Sequence, residues 1–363
     1  MIFETMTFDD NQEKQMSHSH ADISHHTKLG AAATSHERAI AIWLFTMAGL
    51  VALMVLIGGI TRLTGSGLSM VEWRPLMGTL PPLSAAEWDR VFTLYQQSPE
   101  YNDVNFGMSL GEFKTIFFWE YVHRLWGRLL GIVFIVPFVY FLIRKMIPQG
   151  YGFILSLLLV LGGLQGVIGW WMVKSGLVQD PAVSQYRLAT HLGMALVIYA
   201  LLLWTSFNLI YGRTVKLSPH YIGVVGIIGL TIIAGAFVAG MDAGLLYNEY
   251  PLMGEGLLPI EYGEEGLADP FENPAAAQFH HRWIAVLAVI GVITLWRRAR
   301  QSAVLKIRGT AVGLIVLGQF TLGIFTLLNG VPVWMGAAHQ LGAVLLLGSA
   351  LWCVHGLAQQ SKA

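Results

Sequence analysis

Long apolar runs, separated by short polar or charged stretches, recur eight times between residues 39 and 357. A helix that crosses a bilayer needs about 20 predominantly apolar residues. The runs near 39–60, 116–143, 152–173, 186–211, 221–241, 279–297, 309–329 and 333–357 meet that length. Helices satisfy their own backbone hydrogen bonds in lipid, so the pattern predicts an all-α integral membrane protein of eight transmembrane helices. Only Asn329, Gly330, Val331 and Pro332 separate the last two runs, a link that forces an antiparallel hairpin.

The cationic residues give these spans a direction. Arg144 and Lys145, then Arg213 and Lys216, then Arg297, Arg298, Arg300, Lys306 and Arg308 flank links 2–3, 4–5 and 6–7. An excess of Lys and Arg in short loops marks the cytoplasmic side, so both termini are expected there. Link 5–6, residues 242–278, is acidic from Asp242 to Glu272 and has no Lys or Arg. Residues 1–38 read as a polar cytoplasmic tail, with His18, His20, His25, His26 and His36. No apolar core with a small-residue cleavage site precedes the first span, and the expected location is a bacterial cytoplasmic membrane, crossed many times.

The chain also looks duplicated. LSLLLVLGGLQGVIGWWMV (155–173) resembles GTAVGLIVLGQFTLGIFTL (309–327), with Gln165 opposite Gln319 and Gly169 opposite Gly323. EYVHRLWGRLLGI pairs His123 with His281 of QFHHRWIAVLAVI, and THLGMALVIYALLLW pairs His191 with His339 of AHQLGAVLLLGSALW. GGITRLTGSGLS resembles GAFVAGMDAGLL. Four helices return the chain to its starting side. The expected architecture is therefore two parallel four-helix-bundle repeats, residues 39–213 and 214–363, related by an axis along the membrane normal.

Composition removes other classes. Charged residues are 12% of the chain, about half of what a soluble domain carries, so lipid is the expected surroundings. Formal net charge is zero and there is no basic stripe with interleaved aromatics, which excludes nucleic acid as a partner. Cys353 is the single cysteine, too few for a disulfide framework or a thiolate metal site.

The polar residues left inside the spans carry the candidate chemistry, because burying them in lipid is costly. His123, His191, His281 and His339 lie on spans 2, 4, 6 and 8, all of which start on the outer side. Each is expected roughly two to seven residues in, ~3–10 Å below the outer interface. Two histidines per repeat suggest two bis-imidazole sites; heme iron takes axial histidine, and neutral imidazole is a cheap ligand to bury. The duplicated His-Arg dipeptide selects His281 rather than His280 as the inward residue, and His220 and His355 receive no role. Glu120 precedes His123 by three positions and shares its helix face, while Gln278 stands in the matching place before His281. One site thus has an ionisable carboxylate, able to move protons or stabilise a developing cation, or else simply paired with Arg124. Arg124, Arg128 and Arg282 read equally as partners for heme propionates and as side chains snorkelling to the interface. The many glycines let helices approach closely and leave room for a flat macrocycle.

At these residues the sequence resembles the heme A synthase family, in its mitochondrial and alphaproteobacterial branch. GGITRLTGSGLSMVEWRPLMGTLPPLSAAEW, SPEY, EFKTIFFWEYVHRLWGRLLG, GLQGVIGWWMVKSGL, YRLATHLGMALVIY, AGAFVAGMDAG, FENPAAAQFHHRWIA and GAAHQLGAVLLL carry the resemblance, over nearly all of residues 55–347. It implies an oxidoreductase that converts the C8 methyl of heme O to a formyl group, giving heme A for cytochrome oxidase. By motif, His123 and His191 would hold heme O or heme A as substrate and product, and His281 and His339 a permanent heme b. Glu120 would be the catalytic carboxylate. Heme O synthase, cytochrome oxidase assembly factors and further copies of the chain are the implied partners. Another branch of the family carries a cysteine pair in an outer loop, and this chain has none. Trp73, Pro81, Pro82 and Trp88 of link 1–2 are expected to pack as a lid above the substrate heme. Two competing readings share some features. A di-heme b electron-transfer protein would have the four histidines but no need of a one-sided carboxylate. A two-repeat transporter would need a mid-membrane polar site.

Overall fold

Each long apolar run ends where a capping residue or a turn takes over the free backbone groups. In the computed structural model, which describes residues 33–72, 80–177, 181–214 and 217–360, the described residues include eight helices long and apolar enough to cross a membrane. They are α1 (Ser35–Leu63), α2 (Leu110–Ile143), α3 (Gly152–Ser175), α4 (Gln185–Tyr211), α5 (Pro219–Gly240), α6 (Pro274–Arg300), α7 (Lys306–Leu328) and α8 (Val333–Gln360). The protein is a multi-pass, all-α membrane protein. Thr34 and Ser109 open α1 and α2 with reciprocal capping boxes to Glu37 and Glu112. Asn273 caps α6, with Pro274 at its first position. These caps extend α1, α2 and α6 by four to six residues beyond the apolar runs, because polar first turns are invisible to a hydropathy reading.

The packing is built on α1, α4 and α8, the most enclosed spans. α1 packs against α2, α4 and α8; α4 also meets α3, α5 and α8; α5 meets α6 and α8; α6 meets α7, and α7 meets α8. Lipid is as apolar as leucine, so close packing and interhelical hydrogen bonds hold such helices together, each bond contributing on the order of 0.6 kcal/mol. The indole of Trp43 donates to the carbonyl of Val133 (3.0 Å), and that of Trp126 to Leu50 (3.1 Å), tying α1 to α2. Gln340 of α8 donates to Val55 of α1 at 3.1 Å, over Gly59, where a side chain would collide with the amide. Arg62, at the end of α1, bonds the carbonyl of Ala239 (2.8 Å) and the carboxylate of Asp242 (3.0 Å) beyond α5.

α2, α4, α6 and α8 all start on the side of the two long connections, residues 64–109 and 241–273. The first connection has its own apolar core. Helix Ala85–Tyr95 and helix Pro99–Asp103 pack on the outward extension of α2 through Tyr95, Phe113, Ile116 and Phe117. Trp88, expected as a packing element, meets Phe113 and Phe117 edge-on, with Lys114 over its ring. Pro81 and Pro82 are half-buried, and Trp73 lies outside the described residues. The second connection is held by Asp269, which accepts from the backbone of Gly263 and Glu265, and by Asn273, which donates to the carbonyl of Glu261.

Glu100 is buried in the first connection, where it accepts from the hydroxyl of Tyr95 at 3.0 Å. Burial pushes its carboxyl up from 4.5 to about 7, against the lowering effect of the Tyr95 bond and with the charge of Glu120 adding to the rise. A carboxyl whose folded value lies above its unfolded value loses stability as pH climbs between the two. Protection factors over residues 85–108, with the intrinsic pH dependence of amide exchange divided out, are therefore expected to be higher at about pH 5 than at about pH 8, and to become flat in Glu100→Gln. Equal pH dependence in that variant would show that another group is responsible.

Candidate functional site

Each of the four histidines projects from an even-numbered helix onto a glycine of its neighbour. A Cβ on Gly58 of α1 would stand 3.3 Å from Nε2 of His123. One on Gly169 of α3 would stand 2.9 Å from Cε1 of His191, one on Gly235 of α5 3.0 Å from His281, and one on Gly323 of α7 2.7 Å from His339. All four contacts are tighter than ordinary packing, so the rings occupy space that any larger residue would claim. His123 and His191 are close enough to influence each other electrostatically, as are His281 and His339. His191, His281 and His339 lie within two turns of their helix starts, as expected, whereas His123 is deeper along α2 because that helix begins outside the apolar run.

Three rings have a defined partner at Nδ1. The carbonyl of Thr231, one turn before Gly235, sits 3.0 Å from Nδ1 of His281. A carbonyl only accepts, so His281 carries its proton on Nδ1 and leaves the Nε2 lone pair free. Gln165, one turn before Gly169, places its amide nitrogen 3.2 Å from Nδ1 of His191 and 3.0 Å from the carbonyl of the same residue. Gln319 does the same to His339 at 3.0 and 2.8 Å. The i,i+4 spacing of Gln165 with Gly169 and of Gln319 with Gly323 was visible in the sequence and puts each pair on one face. Among the described residues, no group of three or more His, Cys, Asp and Glu side chains gathers as a metal cage; a pair of histidines falls below that number.

Glu120 is buried at 2% exposure and entirely surrounded by donors. It accepts from the hydroxyl of Ser69 (2.7 Å), the backbone N–H of Met70 (2.6 Å) and the guanidinium of Arg124 (2.5 Å). Arg124 also donates to the carbonyls of Met70 (2.9 Å) and Glu72 (3.2 Å). The matching residues repeat the geometry without the charge. Gln278 donates to the carbonyl of Tyr247 at 3.1 Å, and Arg282 donates to the same carbonyl at 2.9 Å and to Leu252 at 3.0 Å. Arg124 and Arg282 are thus loop anchors rather than snorkelling side chains, and the Nε of Arg282 is buried with no partner among the described residues. Arg128 lies half-buried one turn beyond Arg124. Three other histidines on the spans serve elsewhere: His280 meets the hydroxyl of Tyr262, His220 that of Thr294, and the fully buried His355 the amide of Asn208; His18, His20, His25 and His26 lie outside the described residues. The backbone of Met70 and the carbonyl of Thr231 could not be read in advance, because backbone groups carry no sequence signal, and Ser69 could not because its hydroxyl is brought to Glu120 by the course of a loop.

The COX15-CtaA cytochrome oxidase assembly protein family matches residues 41–351, most of the chain. The chain belongs to that family. Its relatives include proteins called heme A synthase from Nitrosospira multiformis (46% identical over 337 residues, 89% of this chain and 95% of the relative) and Rhodospirillum centenum (47% over 329 residues, 88% of each). A third, from Parvibaculum lavamentivorans, is 44% identical over 336 residues, 90% of this chain and 96% of the relative. The match takes in all four histidines, Glu120 and both anchoring arginines.

In this family member the Glu120–Arg124 pair is buried, and breaking it is costly. Arg124→Ala leaves a carboxylate uncompensated in a closed site, which typically costs 3–5 kcal/mol. Thermal unfolding of the purified protein in detergent is expected to show that loss, with Arg124→Lys recovering part of it because an ammonium cannot hold the carboxylate and two carbonyls together. A loss under ~1 kcal/mol is what an exposed pair gives and contradicts the burial.

Proposed function

We propose that the chain has heme A synthase activity, an oxidoreduction that turns the C8 methyl of heme O into the formyl group of heme A for cytochrome oxidase. The observation that carries the reading is the one-sided carboxylate: Glu120 stands one turn before His123 inside a cage of donors, and Gln278 stands in the same place before His281. An electron-transfer protein with two equivalent hemes has no use for that difference.

In this reading residues 39–213 hold the substrate heme between His123 and His191, and residues 214–363 hold heme b between His281 and His339. The residues fit bis-imidazole ligation. Four glycines clear the space for the rings, Thr231 fixes the ligating tautomer of His281, and Arg282 keeps a buried N–H to give to a propionate. Arg124 and Arg128 would offer guanidinium charge to the propionates of the other heme. Bound heme supplies the redox capacity, which the side chains lack. Glu120 would supply a carboxylate toward the methyl. Hydrogen bonds to a charged group contribute ~1.5–3 kcal/mol each, and Glu120 accepts three, which hold it in place. Its environment therefore favours stabilising a cationic intermediate over acting as a free base. The basic links face the cytoplasm of a bacterial inner membrane, both termini lie inside, and heme O synthase, assembly factors and further copies of the chain are the partners.

Hemes extracted from protein made in cells that also make heme O are expected to separate as heme B together with heme O, heme A or the hydroxylated intermediate. Heme B alone would favour the electron-transfer protein. Glu120→Gln should retain both hemes and stop aldehyde formation, with unchanged heme A output removing Glu120 from catalysis. His281→Ala should lose the low-spin heme b spectrum and keep the capacity to bind heme O; a normal spectrum would overturn the ligand assignment.

A further inference from the structure

Gln165 and Gln319 have an unusual deficit. Each amide nitrogen makes two hydrogen bonds to its histidine, yet each Oε1 is buried with no partner among the described residues. A buried carbonyl oxygen without a donor typically costs ~1–3 kcal/mol, and here the same deficit occurs at both members of an internal duplication. Gly342 of α8 makes room for the Gln319 oxygen, since a Cβ there would collide with it.

The amide nitrogen only donates, so the Nδ1 facing it accepts and the ring proton lies on Nε2. Iron binds a bare nitrogen, and Nε2 becomes bare only when the proton moves to Nδ1. An Nδ1–H would then point at an amide N–H, donor against donor. A half-turn of the amide exchanges its two ends and brings the orphaned Oε1 to the Nδ1–H. The turn gives up the amide's bond to the histidine carbonyl, which keeps its place in the helix ladder, and Oε1 must swing away from that carbonyl oxygen as it meets Nδ1–H. His281 needs no such turn, because Thr231 already offers a carbonyl.

We propose that Gln165 and Gln319 are positioning residues for His191 and His339, each turning its amide to accept Nδ1–H when heme iron takes Nε2. The inference rests on the reading of these histidines as axial ligands. Each of these ligands is settable, and in the heme b site it faces the preset His281. The bound-state hydrogen bond raises imidazole basicity and so favours ferric iron.

Gln319 gives the cleaner test because its heme is the permanent one. The full chain, purified in detergent with its native hemes, is compared with Gln319→Glu and Gln319→Leu by heme B content, electron paramagnetic resonance and redox titration of the low-spin heme. Gln319→Glu, the same size and a stronger acceptor, is expected to favour the ferric state about tenfold, a fall of ~59 mV in midpoint for one electron. Gln319→Leu is expected to raise the midpoint and to weaken heme retention about ten- to hundredfold. If the leucine variant does not fold, the glutamate variant decides. Unchanged midpoint and resonance spectrum in Gln319→Glu overturn the inference. His339→Ala separates the two levels. Loss of heme b there with silent Gln319 variants rejects the amide turn alone, whereas an unaffected heme b in His339→Ala rejects the ligand reading and the inference with it.

Discussion

An imidazole ring enters a helix interface only where the facing helix has given up its side chain, and this constraint governs the site. Gly58, Gly169, Gly235 and Gly323 are the four places where that happens, the last three each one turn from the residue that reaches Nδ1 of the ring. In lipid a bare polar ring cannot be left to water, so the backbone or an amide must meet it. Gln165, Thr231 and Gln319 do this from the same helix face as the glycine. For His191, His281 and His339, ring placement and proton position follow from one i,i+4 pair each.

Against that regularity the surroundings of His123 and His281 differ in the residue three places before each histidine, Glu120 in one and Gln278 in the other. Glu120 draws in Ser69, Met70 and Arg124, and the connection after α1 wraps down onto it. Gln278 asks for less and receives only the carbonyl of Tyr247. The denser first connection, with its aromatic core around Tyr95 and Phe113, accompanies the charged site. A carboxylate held 2% exposed needs such a cover, because water reaching it would weaken every electrostatic interaction it makes.

Much of this was legible in the sequence because hydropathy and duplication report on exposure and recurrence. The eight spans, the inward choice of His281 over His280 and the Glu120/Gln278 difference all came from spacing. The helix starts at Ser35, Leu110 and Pro274 escaped it, since capped polar turns look like loop. The anchoring of Arg124 and Arg282 to loop carbonyls was equally hidden, because a backbone acceptor has no letter in the sequence. Gln165 and Gln319 were visible as a repeated pair, but their partners lie on the next helix, and pairing across helices is decided by rotation about the helix axis rather than by order along the chain.

The two indole bonds between α1 and α2 have a mechanical side. Trp43 to Val133 and Trp126 to Leu50 lie seven residues apart on each helix, in antiparallel order, a separation of roughly 10 Å. Two such ties at that distance resist both sliding and swivelling of α1 against α2, and they keep the pair that carries Gly58 and His123 in one register.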